Sequence, residues 1–180
     1  EYGEKMFEKR MGKRYYSFDH KGWHFMILDG IEKDDSERGT YMGKVDEEQL
    51  QWIREDLEKT DPETPIVVVV HIPLVSIMPQ LTRGPLYADN QSQLITNQQE
   101  VLAPFRMMNL KLVLQGHLHA LEDLNLMGRT HFLTGGAVCG RWWKTPDNSV
   151  LQEGFVKIDV TGEDFSWEYV DYGWETGISN

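Results

Sequence analysis

The chain has 180 residues, of which 40% are hydrophobic and 11% aromatic, a composition that suits one ordinary domain and excludes a disordered chain. Its 18 basic against 29 acidic side chains leave a net charge of −11, which argues against a free-standing nucleic-acid surface and against docking on anionic lipid. The longest apolar run, Ile66 to Val70, is too short to span a bilayer, and the single Cys139 excludes a disulfide framework or a Cys-rich zinc site.

In chain order, Glu1 to Arg14 is charged and reads as a short helix ending near Gly12. The sequence starts without an initiator Met or a signal-type segment, so the expectation is a mature form, a trimmed form or a fragment. Tyr15 to Asp19 and Trp23 to Leu28 are rich in aromatic and β-branched residues and read as strands, with His20-Lys21-Gly22 as their hairpin turn. Glu32 to Gly43 is polar and reads as loop. Asp46 starts a helix, with Gln49 in a capping-box position and Leu50, Ile53 and Leu57 as the apolar stripe. Ile66 to Val70 is a continuous apolar run, expected to be a strand buried on both faces.

Leu74 to Ser92 reads as a long loop, and loops of that length are often functional. Thr96 to Met108 is expected to be a second helix, with Thr96 and Gln99 as another capping box. Lys111 to Gln115 is a second buried strand. Four further strands follow, over 121–126, 129–133, 155–160 and 165–170. The fold class is therefore α/β with a β-rich C-terminal third, and no internal repeat divides the chain, which reads as a single domain over 1–180.

Both buried strands end in histidine, at His71 and at Gly116-His117-Leu118-His119. Ligands in open α/β sheets gather at the carboxyl ends of strands, and imidazole is the commonest neutral metal ligand. Gly116 offers the freedom to bend that a His-x-His pair needs to point both rings into one crevice. His71, His117 and His119 are expected to converge at one edge, with the 74–92 loop bordering it. A lone His71 also fits a packed, hydrogen-bonded role. His24 is expected to pack within its strand, His20 to be solvated, His131 to be a strand residue, and Asp19 and Asp29 to cap loop amides. Gly135-Gly136 fits either a ligand approach or a plain turn. Arg141 and Trp142 are candidate substrate-proximal residues, in a loop that fits better an exposed aromatic segment packed on its own domain.

Tyr15-Tyr16-Ser17-Phe18-Asp19, His24 to Asp29 and Gln49 to Ile53, taken in order with Val68-Val69-Val70-His71-Ile72-Pro73 and Leu112 to His119, resemble the calcineurin-like metallophosphoesterases. The last two stretches resemble that family's fourth and fifth motifs. The resemblance implies the C-terminal part of a metallophosphoesterase α/β-sandwich, with mixed sheets flanked by helices. It implies two divalent or transition metal ions, manganese, iron or zinc, with His71 and His117 on one metal and His119 on the other. Such a pair generates a hydroxide nucleophile and clamps the phosphoryl oxygens of a phosphoester substrate.

The family's Asp-x-His, Gly-Asp-x-x-Asp and Gly-Asn-His motifs do not occur here. The ligand set is thus incomplete and the histidine that protonates the leaving group is missing. The upstream part of the same polypeptide, or another chain, is expected to supply them, and this chain alone is expected to be inactive. Ala120-Leu121-Glu122 departs from the Tyr-Glu-Arg of purple-acid-phosphatase-like members, and Trp142-Trp143-Lys144 is closer to bacterial, often exported, members. Two rivals stand beside this reading: a non-catalytic binding module with structural histidines, and a mononuclear three-histidine zinc hydrolase. The compartment and the particular phosphoester are not legible in the sequence.

Overall fold

The computed structural model describes residues 3–34, 41–140, 142–143 and 153–174. After helix α1 (Glu4–Met11), strands β1 (Tyr16–His20) and β2 (Trp23–Ile27) form the expected hairpin. Lys21 and Gly22 turn it with φ of 48° and 81°, the left-handed pair that a two-residue hairpin favours. A ribbon of β3 (Ile31–Glu32) and β4 (Met42–Gly43) follows where the sequence reads as loop. Strands of two residues are too short to show a period-2 pattern. Helix α2 (Glu47–Leu57) leads to β5 (Ile66–Val69), α3 (Met78–Arg83), α4 (Gln98–Leu102), a 3-10 turn over Ala103–Met107, and β6 (Leu110–Gln115). Strands β7 (Glu122–Leu126), β8 (Thr130–Thr134), β9 (Phe155–Thr161) and β10 (Asp164–Val170) make the C-terminal third.

Six strands pair in the order β1-β2-β5-β6-β8-β7. The inner four run parallel, and β1 and β7 close the edges antiparallel, so the architecture is mixed α/β around a mixed sheet. Alternation along β5 sends Ile66 and Val68 to one face and Val67 and Val69 to the other. The first face packs on Leu50, Ile53 and Leu57 of α2 and on Val101 and Phe105. The second packs on Val156, Ile158, Phe165 and Trp167 of the β9–β10 hairpin. Each such buried apolar side chain contributes about 1.5–3 kcal/mol, and two covered faces explain the unbroken apolar run of β5. Among the described residues no helix is long and apolar enough to cross a membrane.

Three local expectations change. Asp46 does cap α2, its Oδ1 accepting from Gln49 N at 2.8 Å. The Gln49 side chain does not return to complete a capping box. It is fully buried and clasps the Asp29 main chain instead, accepting from Asp29 N and donating to Asp29 O, both at 2.9 Å. The helix expected over 96–108 starts late and changes form, with α4 giving way to the 3-10 turn around Pro104. A proline ring clashes with the carbonyl four residues back and lacks the N–H an α-helix needs. Thr96 and Asn97 spend their side chains on Gly43 and Val45 rather than on a helix cap. The 74–92 loop contains α3, a helix too short for a periodic signal.

Gln49→Ala removes both bonds to Asp29 and leaves that main chain unsatisfied beneath the carboxyl end of β2. A destabilisation of about 2–4 kcal/mol is expected, read as a lowered urea midpoint with an unchanged slope.

Candidate metal centre

The parallel strands β5 and β6 end side by side, with Val69 opposite Leu114. The ladder runs on past them: Val70 N donates to Leu114 O at 2.9 Å, and Gly116 N to His71 O at 3.0 Å. His71 and His117 therefore leave one edge together. His71 Nε2 lies 3.3 Å from His117 Nδ1, with the rings 5.1 Å apart and nearly perpendicular.

The bend that turns His117 inward is not made at Gly116. A Cβ there would meet His71 only at ordinary contact distances, from 3.6 Å outward. The positive φ falls on His117 itself, at 68°, and Leu118 N donates to Gly116 O at 2.7 Å across it. That is a γ-turn of positive φ, the rarer and strained kind. His119 is left-handed as well, at φ 54°. Strain of this sort costs about 1–3 kcal/mol per residue and gathers where a side chain must be aimed.

The surroundings hold these conformations. Gln115 Oε1 accepts from Leu74 N and Val75 N, and its Nε2 donates to Val75 O and to Thr134. Glu122 Oε1 accepts from Ile77 N at 2.9 Å. The chain leaving His71 is thus fastened to the strands that carry His117 and β8. His119 Nδ1 lies 3.0 Å from Gly140 O. A carbonyl only accepts, so Nδ1 carries the proton and Nε2 keeps a lone pair, the tautomer a metal ligand needs.

Burial lowers the pKa of His71, with His119 adding to it. Burial also lowers that of His117, followed by His71; His119 adds to this, while the Ser92 backbone and Asp89 oppose it. His119 is therefore an electrostatic neighbour of both rings, and the end of the 74–92 loop borders the site as expected. His117 Nε2 is buried and completes no hydrogen bond of ordinary geometry among the described residues.

The donor set fits a cation in part. Two nitrogens ligating one tetrahedral ion at about 2.0–2.1 Å stand about 3.3–3.4 Å apart, which is the separation of the His71–His117 pair. Among the described residues no group of three His, Cys, Asp or Glu side chains could hold a metal by itself. The three histidines share an edge, but His119 does not join the pair as a third ligand in one cluster. Asp29 follows β2 at the same edge, where its Oδ1 caps Ile31 N and its Oδ2 accepts from Arg14 at 3.2 Å. A groove of about 1000 Å³ runs past Arg14, Asp29, Tyr41, His71 and Gly116.

Trp142 lies against His119, ring centroids 5.0 Å apart. Arg141 lies outside the described residues. Of the other histidines, His20 is exposed, His24 bridges Asp19 and Asp56, at 2.7 and 3.0 Å, and His131 meets Asp123 and Asn125. Gly136 is a packing glycine, since a Cβ there would collide with Tyr169. Sequence reasoning missed Tyr41, whose ring faces His117 edge-on at 6.2 Å, and the Gly140 carbonyl. Neither has a sequence signal, because tertiary folding alone brings each to its histidine.

No protein-family model matches the chain, and no curated protein is detectably similar in sequence. Among solved structures it is similar to a dimetal phosphatase from Danio rerio, with a TM-score of 0.61 and 18% identity over 86% of this chain and 57% of that one. A hypothetical protein from Thermus thermophilus overlaps with a TM-score of 0.37 and 12% identity, over 88% of this chain and 62% of that one, too weakly to bear on the fold. The first likeness shows the fold: a mixed α/β arrangement like that of a dimetal phosphatase.

In the metal-free protein, His71 and His117 should titrate below 6.5, measured by NMR of their ring protons. With folded values depressed, the unfolded chain binds more protons just below 6.5. Their contribution to stability is therefore complete above about 6.5 and is lost as the pH falls through the folded values.

Proposed function

We propose that this chain is the histidine-bearing part of a metal-dependent phosphoesterase with a dinuclear centre. The observation that carries the reading is the His71–His117 nitrogen pair, 3.3 Å apart at the ends of adjacent parallel strands, in a fold similar to that of a dimetal phosphatase. In this reading His71 and His117 hold one cation and His119 Nε2 serves a second. Manganese, iron and zinc all suit imidazole. Bound there, such ions supply positive charge to the phosphoryl oxygens and acidity to the attacking water.

The chain's own residues aim and hold. Burial disfavours the charged forms of His71 and His117, so a cation entering between the facing nitrogens has only the proton of their mutual hydrogen bond to displace. Gly140 fixes the tautomer of His119, and Gln115 fastens the segment after His71. Arg14 is committed elsewhere, with Glu4, Glu8, Asp29 and Asp46 all within 3.9 Å of its guanidinium. Its charge is spent on carboxylates, which leaves the role of holding phosphate to bound cations.

We propose further that the remaining ligands and the leaving-group acid come from upstream polypeptide or from another chain. The chain spans 57% of the length of the Danio rerio structure. The sheet face covered by the β9–β10 hairpin continues across β2 and β1 as Phe25 stacked on Phe18, then Tyr16, and the last two are exposed. Such an aromatic row on an edge strand is the kind of surface further chain covers.

These 180 residues alone, given Mn²⁺ or Zn²⁺, should hydrolyse p-nitrophenyl phosphate no faster than the metal in buffer. Protein restored with its upstream segment should turn over in a metal-dependent way and lose at least about 100-fold on His117→Ala. Restored protein that binds no metal and hydrolyses no phosphoester would leave a binding module with structural histidines as the function.

A further inference from the structure

Trp142 and Trp143 are consecutive tryptophans that both have positive φ, at 59° and 61°. For bulky side chains this is a true outlier, and it requires support. Support is present on several sides. Gly140 N donates to Ala137 O at 2.8 Å, and Trp143 N donates to Cys139 O at 2.7 Å. Trp143 packs edge-on against Trp174 at 5.0 Å, and the Tyr172 hydroxyl donates to Val138 O. The same turn supplies the Gly140 carbonyl that orients His119.

The turn thus does two things at once. It aims His119, and it sets the Trp142 indole 5.0 Å from that imidazole, tilted by 43°. Despite the strain, Trp142 gains little burial: it is 69% exposed. A tryptophan held in a strained backbone beside a candidate metal ligand, with most of its surface open, is poorly explained by core packing.

We propose that Trp142 is a stacking platform for a flat aromatic group esterified to the phosphate, and hence a specificity-determining residue for aryl-type over alkyl phosphoesters. The inference rests on the phosphoesterase reading, because the neighbouring histidine is what places a phosphate there. Given that, the ester substituent hangs from an oxygen bonded to phosphorus, and the largely exposed Trp142 indole is the aromatic surface beside His119. Stacking on an indole rewards a π-face and is tolerant of its substituents, so a flat ring is preferred over a polyol chain.

The test uses three probes. In protein restored with its upstream segment and supplied with Zn²⁺, calorimetry compares the binding of 2-naphthyl phosphate with that of glycerol 2-phosphate. Without metal, saturation-transfer NMR follows 2-naphthol, which has no phosphate. The naphthyl ester should bind about tenfold tighter or more, and Trp142→Ala should erase that margin, bringing the two esters to equal affinity. Trp142→Phe should restore most of the margin. Saturation transfer to 2-naphthol should be seen in the parent and in Trp142→Phe and be lost in Trp142→Ala. Equal affinity for the two esters in the parent, or a margin that survives Trp142→Ala, overturns the platform. Failure of both esters to bind with Zn²⁺, while 2-naphthol still binds through Trp142, overturns the phosphoesterase reading and leaves the aromatic subsite standing.

Discussion

Register between two parallel strands sets everything at the candidate site. With Val69 opposite Leu114, two further residues along each chain bring the His71 carbonyl onto Gly116 N. The two histidines are then neighbours by construction, whatever their rings do next. A slip of one residue along β5 would exchange its faces, turning Ile66 and Val68 toward the β9–β10 hairpin and Val67 and Val69 toward α2. The hydrophobic packing of two faces is thus what fixes the position of two polar rings at the sheet edge.

The rings are then aimed by strained backbone, and the strain is offset nearby. His117 and His119 both occupy left-handed conformations, and Trp142 and Trp143 do the same across the crevice. Around them the buried polar groups are largely satisfied. Gln115 bonds to the 74–75 segment and to Thr134, and Glu122 bonds to Ile77. Such buried bonds are costly to leave unmade, which holds the segment after His71 in one arrangement. His117 Nε2 and Glu122 Oε2 are the buried polar atoms here that complete no hydrogen bond of ordinary geometry among the described residues.

Charge explains why cations matter to the functional reading. The chain carries −11 overall, and the guanidinium that reaches the groove, Arg14, is ringed by carboxylates. In so acidic a protein, bound cations would strengthen the field that holds a dianionic phosphate. Neutral imidazoles, kept so by burial, are the ligands that receive such ions at little electrostatic cost.

The β1–β2 hairpin, α2 and its Asp46 cap, and the buried strands β5 and β6 were legible in the sequence, because apolar period, turn residues and caps are local signals. So was the coincidence of two apolar strands each followed by histidine. What lay beyond reach was non-local. Gln49 occupies a capping-box position, yet its side chain serves Asp29 twenty residues away in sequence. Gly116 seemed the bending residue, but the positive φ fell on His117, since a γ-turn there satisfies Leu118 N and turns the ring toward His71. By itself, then, the sequence determined which residue types stand at the strand ends. Tertiary structure decided which nitrogens face one another and which tautomer His119 holds, because both depend on a ladder and a carbonyl contributed by segments far apart in the chain.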